Sequence, residues 1–71
     1  MTNSQKLKAA IVEQGLTQEK LADTLGIARA TFNNKLNGKT YFTEDELTKM
    51  KAALQLSNDR FLHIFFAEQC E

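Results

Sequence analysis

Residues 17–39, TQEKLADTLGIARATFNNKLNGK, set two short amphipathic patterns on either side of Gly26, and their reading decides the fold. In the first pattern Thr17 can offer its hydroxyl to the free backbone N–H groups of a first helical turn. Leu21, Ala22 and Leu25 then share one face, so a helix over about residues 17–24 is expected. Gly26 falls where the chain must leave that helix, and a residue without Cβ enters the left-handed conformation at little cost. Ile27 closes the corner as a core residue. In the second pattern Phe32 and Leu36 stand four apart and face inward, which turns Arg29, Ala30, Asn33, Asn34 and Asn37 to solvent. Asn37 and Gly38 supply the stop, since both tolerate the positive φ that ends helices.

An outward face of amides and one arginine suits a specific physical task. The major groove of B-form DNA admits one α-helix, and its base edges offer partners that Arg and Asn match: arginine favours guanine, asparagine adenine. Gln18, at the start of the preceding helix, is placed to hold a phosphate, as is the loop of Asn37, Gly38, Lys39, Thr40 and Tyr41. Phosphate contacts fix register and the helix face reads sequence. The spacing of the two patterns is that of a DNA-binding helix-turn-helix.

The segment resembles the helix-turn-helix of the phage repressor and Cro-like family, also called the XRE family, over about residues 4–56. The resemblance implies an all-α fold, a compact five-helix lambda-repressor-like domain in which helices 2 and 3 form the motif. It also implies base reading by Arg29, Ala30, Asn33 and Asn34, and backbone contacts by Gln18, Asn37 and Lys39, to which Thr40 and Tyr41 are added from the loop. Two positions depart from the family pattern. Ala28 stands where Ser or Thr usually caps the second helix, weakening its start by roughly 1 kcal/mol. Ala30 has no hydrogen-bonding side chain and can touch only a thymine methyl.

The other elements follow from caps and periodicity. Thr2 or Asn3 can cap a first helix that carries Leu7, Ala10, Ile11 and Val12 inward and stops at Gly15. Thr43, Glu44, Asp45 and Glu46 form a capping-box pattern, with three acids where the helix dipole favours them; this explains the acid cluster better than metal binding does. That helix is expected to reach about Leu54, burying Leu47, Met50 and Leu54. One of Tyr41 and Phe42 should pack under its loop, with Tyr41 able to reach a phosphate. Ser57 caps a last helix.

The tail Phe61, Leu62, His63, Ile64, Phe65 and Phe66 is very apolar for a terminal helix. Phe61, Ile64 and Phe65 make one stripe, and Leu62 with Phe66 makes another about 100° away. If the core does not absorb all five, each exposed large side chain forgoes roughly 1.5–3 kcal/mol of burial. A covering surface is then expected, in a homodimer formed through residues 57–67. A short strand pairing with its symmetry mate is an alternative, although Ser57, Asn58 and Asp59 read as a helix start.

Composition fits one small domain spanning residues 1–71: the chain is 42% hydrophobic, has no proline, and has a single cysteine, Cys70, without an intramolecular disulfide partner. No apolar run is long enough to cross a membrane, and TNSQKLKAA lacks the apolar core of a signal peptide, so a cytoplasmic location is expected. His63 has no second His or Cys at ligand spacing, and neither a phosphate loop nor a nucleophile pair is present; no metal, cofactor or enzymatic activity is expected.

Nine basic residues balance nine acidic ones, which is unusual for a nucleic-acid-binding domain. The distribution is uneven: residues 1–39 hold six bases and three acids, residues 24–43 hold no acid, and the chain from residue 40 holds three bases and six acids. Together with the resemblance, which implies a phage or prophage type, these residues lead to the expectation of a DNA-binding transcriptional regulator, dimeric on a palindromic operator. The alternative is a small antirepressor that binds a partner repressor protein through the same fold.

Overall fold

The computed structural model describes residues 2–66, and among them the chain forms five helices and no strand. These are α1 (Ser4–Glu13), α2 (Gln18–Leu25), α3 (Arg29–Leu36), α4 (Glu44–Ala53) and α5 (Asn58–Phe65). Four of them begin on a side-chain cap: Asn3, Thr17, Thr43 and Ser57 each accept the backbone N–H three residues on. Each such cap stabilises its helix by about 1 kcal/mol. α3 starts at Ala28 with no side-chain cap.

α2 is the central element and packs against α4, α3 and α1, while α5 lies against α1. Leu21 and Ala22 of α2 are buried beside Leu7 and Ile11 of α1, Phe32 and Leu36 of α3, and Met50 of α4. The chain leaves α2 through Gly26 at φ 74°, and the Ile27 N–H then bonds back to the Ala22 carbonyl at 3.1 Å. That pair of features is a glycine-terminated helix end, and it fixes the angle at which α3 departs. Ile27 itself is half-buried against the core.

An aromatic chain joins α3 to α5. Phe42 lies 5.9 Å from Phe32 of α3 and 5.9 Å, edge to face, from Phe65 of α5; Phe65 in turn meets Phe61 at 5.1 Å. Of the two loop aromatics, Phe42 is therefore the packed one, and Tyr41 is 88% exposed. The N-terminal segment closes on the tail through the Asn3 N–H, which donates to the Ile64 carbonyl at 2.6 Å.

Several sequence expectations need correction. Val12 is 73% exposed, because Leu7, Ala10 and Ile11 already define the inner stripe of α1 and position 12 lies roughly 100° beyond Ile11. Leu47 is only half-buried. Asn37 keeps φ −85°, and Gly38 alone takes the positive φ, 82°. The end of α4 is made without glycine: Gln55 adopts φ 52°, and the Leu56 N–H bonds the Lys51 carbonyl at 3.0 Å.

The tail is helical as far as Phe65, and the strand alternative does not occur among the described residues. Ile64 and Phe65 are buried in the chain's own core, so these two present almost no surface to a partner. Phe61 and Phe66 are half-buried against that core, and Leu62 is exposed. Residue 67 and Cys70 lie outside the described residues.

Candidate functional site

The sequence places its candidate contact residues on α3, on the start of α2 and in the loop after α3. The structure exposes the α3 set of Arg29, Ala30, Asn33 and Asn34, together with Asn37. With Phe32 and Leu36 buried, a turn of about 100° per residue directs Asn34 and Ala30 most directly outward, sets Asn37 and Asn33 toward one flank, and leaves Arg29 on that flank next to the buried stripe. Thr31 is exposed in the same first turn, on the other flank. Spacing from Phe32 alone does not separate it from a structural position.

Arg29 and Gln18 meet. The Arg29 guanidinium donates to Gln18 Oε1 at 3.3 Å, which ties the first residue of α3 to the first residue of α2 across the turn. The bond directs the arginine toward the helix starts and still leaves other guanidinium donors free. Lys8 and Val12 of α1 line the same groove as Gln18, Glu19 and Arg29. Sequence spacing could not place Lys8 in this groove, because that depends on how α1 crosses α2.

The loop of Asn37, Gly38, Lys39, Thr40 and Tyr41 is exposed throughout. Its first residues continue the end of α3, with the Lys39 N–H on the Asn34 carbonyl at 2.9 Å. It returns to the core at Phe42. Ala28 leaves the α3 N-terminus without a side-chain acceptor, so the first N–H groups of that helix are available to an external anion.

One positive charge counted for this side of the molecule is not free. Lys35 Nζ donates to Glu46 Oε1 at 2.5 Å, and both side chains are nearly buried, at 13% and 9% exposure. Glu46 thus serves two helices. It completes the α4 capping box with Thr43 and pairs with the last turn of α3. Burial pushes the Glu46 carboxyl up, but bonds from the Lys35 ammonium and the Thr43 N–H outweigh it and hold the group below the usual glutamate range. The other ion pairs among the described residues are exposed: Lys49 with Asp45, and Arg60 with Glu13.

The predicted tail contacts divide. Leu62 is 44% exposed, Phe61 and Phe66 present part of their surface, and Ile64 and Phe65 present almost none. Phe66 also lines a shallow apolar cleft with Tyr41, Phe42 and Leu47, so the tail and the loop share one surface. No described helix is long and apolar enough to cross a membrane.

Comparison with curated proteins returned no match. A family model spans residues 2–68, nearly the whole sequence, and by that match the chain belongs to DUF739, a family described as a protein of unknown function.

Proposed function

We propose that this chain is a sequence-specific DNA-binding transcriptional regulator, of the repressor or Cro-like kind found in phage and prophage, acting in the cytoplasm without a cofactor. The observation that carries the reading is the exposed face of α3. It presents Ala30, Asn33, Asn34 and Asn37, flanked by the hydrogen-bonded Gln18 and Arg29 on one side and by an exposed, acid-free loop on the other. In this reading α2 and α3 form a helix-turn-helix and α3 enters the major groove. Arg29, Asn33 and Asn34 meet base edges, Ala30 packs on a thymine methyl, and Gln18, Asn37, Lys39, Thr40 and Tyr41 grip the backbone. Two copies on a palindromic operator place their reading helices in successive major grooves about 34 Å apart, and occupancy blocks transcription.

The test is selection of duplexes from a random pool, followed by binding of two variants to the selected site and to a scrambled one. Arg29→Ala should lose about 1–3 kcal/mol of discrimination at one base pair, while Lys39→Ala should weaken all sequences alike. Unchanged affinity and preference in Arg29→Ala would remove α3 as the reading helix.

Dimerisation is assigned to the outer side of α5, where Leu62 is exposed beside the partly covered Phe61 and Phe66. Leu62→Glu should give a folded monomer by sedimentation equilibrium, because the side chain lies outside the core. A variant that still sediments as a dimer would place the two-fold elsewhere. The formal net charge of zero favours one alternative, a small antirepressor that uses the same apolar surface to hold a partner repressor.

A further inference from the structure

The loop between α3 and α4 carries Lys39, Thr40 and Tyr41, yet among the described residues the backbone N–H groups of Thr40, Tyr41 and Phe42 make no backbone hydrogen bond. Its position therefore depends on its two ends and on the buried Phe42 ring. Both ends converge on a single atom. Glu46 Oε1 accepts from Lys35 Nζ at 2.5 Å, just before the loop, and from the Thr43 N–H at 2.9 Å, just after it. The Glu46 N–H returns a bond to Thr43 Oγ1 at 3.1 Å, which holds the carboxylate in place.

We propose that the Glu46 carboxylate is a positioning residue for the phosphate-contact loop, clamping residues 36–42 at both ends and so setting Lys39 and Tyr41 in register with α3. The inference rests on the DNA-binding reading above. Several features separate this role from that of an ordinary helix cap. A capping box needs only Thr43 and Glu46, and the capping bond does not require a cation. Here the same oxygen also holds the last turn of another helix, and the ammonium that reaches it is withdrawn from solvent and from DNA. Lys35 contributes no phosphate contact in this arrangement. Its charge is used to fix where Lys39 sits. The clamp is indifferent to base sequence, so it governs affinity for every duplex in the same proportion.

The experiment uses the full chain, labelled with ¹⁵N, as wild type and as Glu46→Gln. Glutamine keeps an acceptor for the Thr43 N–H and loses the charged bond to Lys35. In the wild type the Thr43 amide resonance should titrate with a midpoint below the ordinary glutamate range, and in the variant it should not titrate. Amides of Gly38, Lys39 and Thr43 should exchange about tenfold faster in the variant, with those of α1 and α2 unchanged. Affinities for the selected operator and for a random duplex should fall by the same factor, about three- to tenfold, leaving the discrimination ratio intact. Should Glu46→Gln fail to fold, Lys35→Met releases only the α3 end: loop exchange and affinity are read in the same way, while the Thr43 amide still titrates, with its midpoint moved up toward the ordinary glutamate range. Unchanged loop exchange in a folded variant would overturn the proposal, as would a loss confined to the operator. Faster loop exchange together with a wild type that binds no duplex would overturn the DNA-binding reading while supporting the clamp.

Discussion

Replacing Phe32 by Ala is expected to abolish the cooperative fold at room temperature. Phe32 is fully buried, it is the largest of the fully buried side chains, and its ring is the first member of the aromatic chain running through Phe42 to Phe65. Truncating a buried phenylalanine costs about 3–5 kcal/mol, the lost transfer energy plus that of the cavity left behind. A domain of this size rarely commands more than roughly 3–5 kcal/mol in total. The single change therefore consumes the whole stability, and far-UV circular dichroism should show little helix and no sigmoidal urea transition. The contrast is Thr31→Ala one residue earlier, which is exposed and should leave the urea midpoint nearly unchanged. A cooperative transition of normal midpoint in Phe32→Ala would mean that α3 is not held by this ring.

Phe32 also shows why part of the fold could be read directly from the chain. Its spacing from Leu36, the glycine at 26 and the hydroxyl at 17 are local signals, each acting within one or two helical turns. Local signals place α2 and α3 and identify the packed and open faces of α3. The end of α4 is different, since Gln55 takes φ 52° without a glycine to announce it. The surrounding contacts of Leu54 and Leu56, both buried, hold that residue in place.

The candidate site divides along the same line. Exposure of Arg29, Asn33 and Asn34 follows from helical periodicity, but the Gln18–Arg29 bond spans eleven residues and the Lys35–Glu46 pair another eleven. Both depend on interhelical angles that composition does not encode. Charge counting is misled accordingly, because it treats Lys35 as a surface cation when the fold has neutralised it. The apolar tail is only partly legible for a related reason. Periodicity yields two stripes in residues 61–66, whereas the amount of core available to receive them is set by α1 and Phe42. Ile64 and Phe65 find places there, which leaves Leu62 as the exposed large hydrophobic of α5.

Binding to a selected operator should weaken by about 10³ between 50 and 200 mM salt. The magnitude follows from the cations that remain free on the proposed face. Lys8 and Arg29 share one groove, Lys39 lies in the exposed loop, and Lys35 is excluded by its bond to Glu46. Lys8 and Lys39 beside the backbone and Arg29 in the major groove bring three cations per copy, about six in a dimer, into the DNA's counterion atmosphere, and each releases a counterion with a slope near −0.9, so a fourfold rise in salt costs about 10³ in the association constant. This is the low end for a dimeric regulator, as expected of a chain whose formal net charge is zero. The measurement is fluorescence anisotropy with a labelled duplex at four salt concentrations. Lys39→Ala should reduce the slope by about two in the dimer, one contact from each copy. A flat salt response would remove DNA as the partner of this face. Association with a partner protein through Leu62 and its neighbours would then be the reading to pursue, because burial of apolar surface depends little on screening.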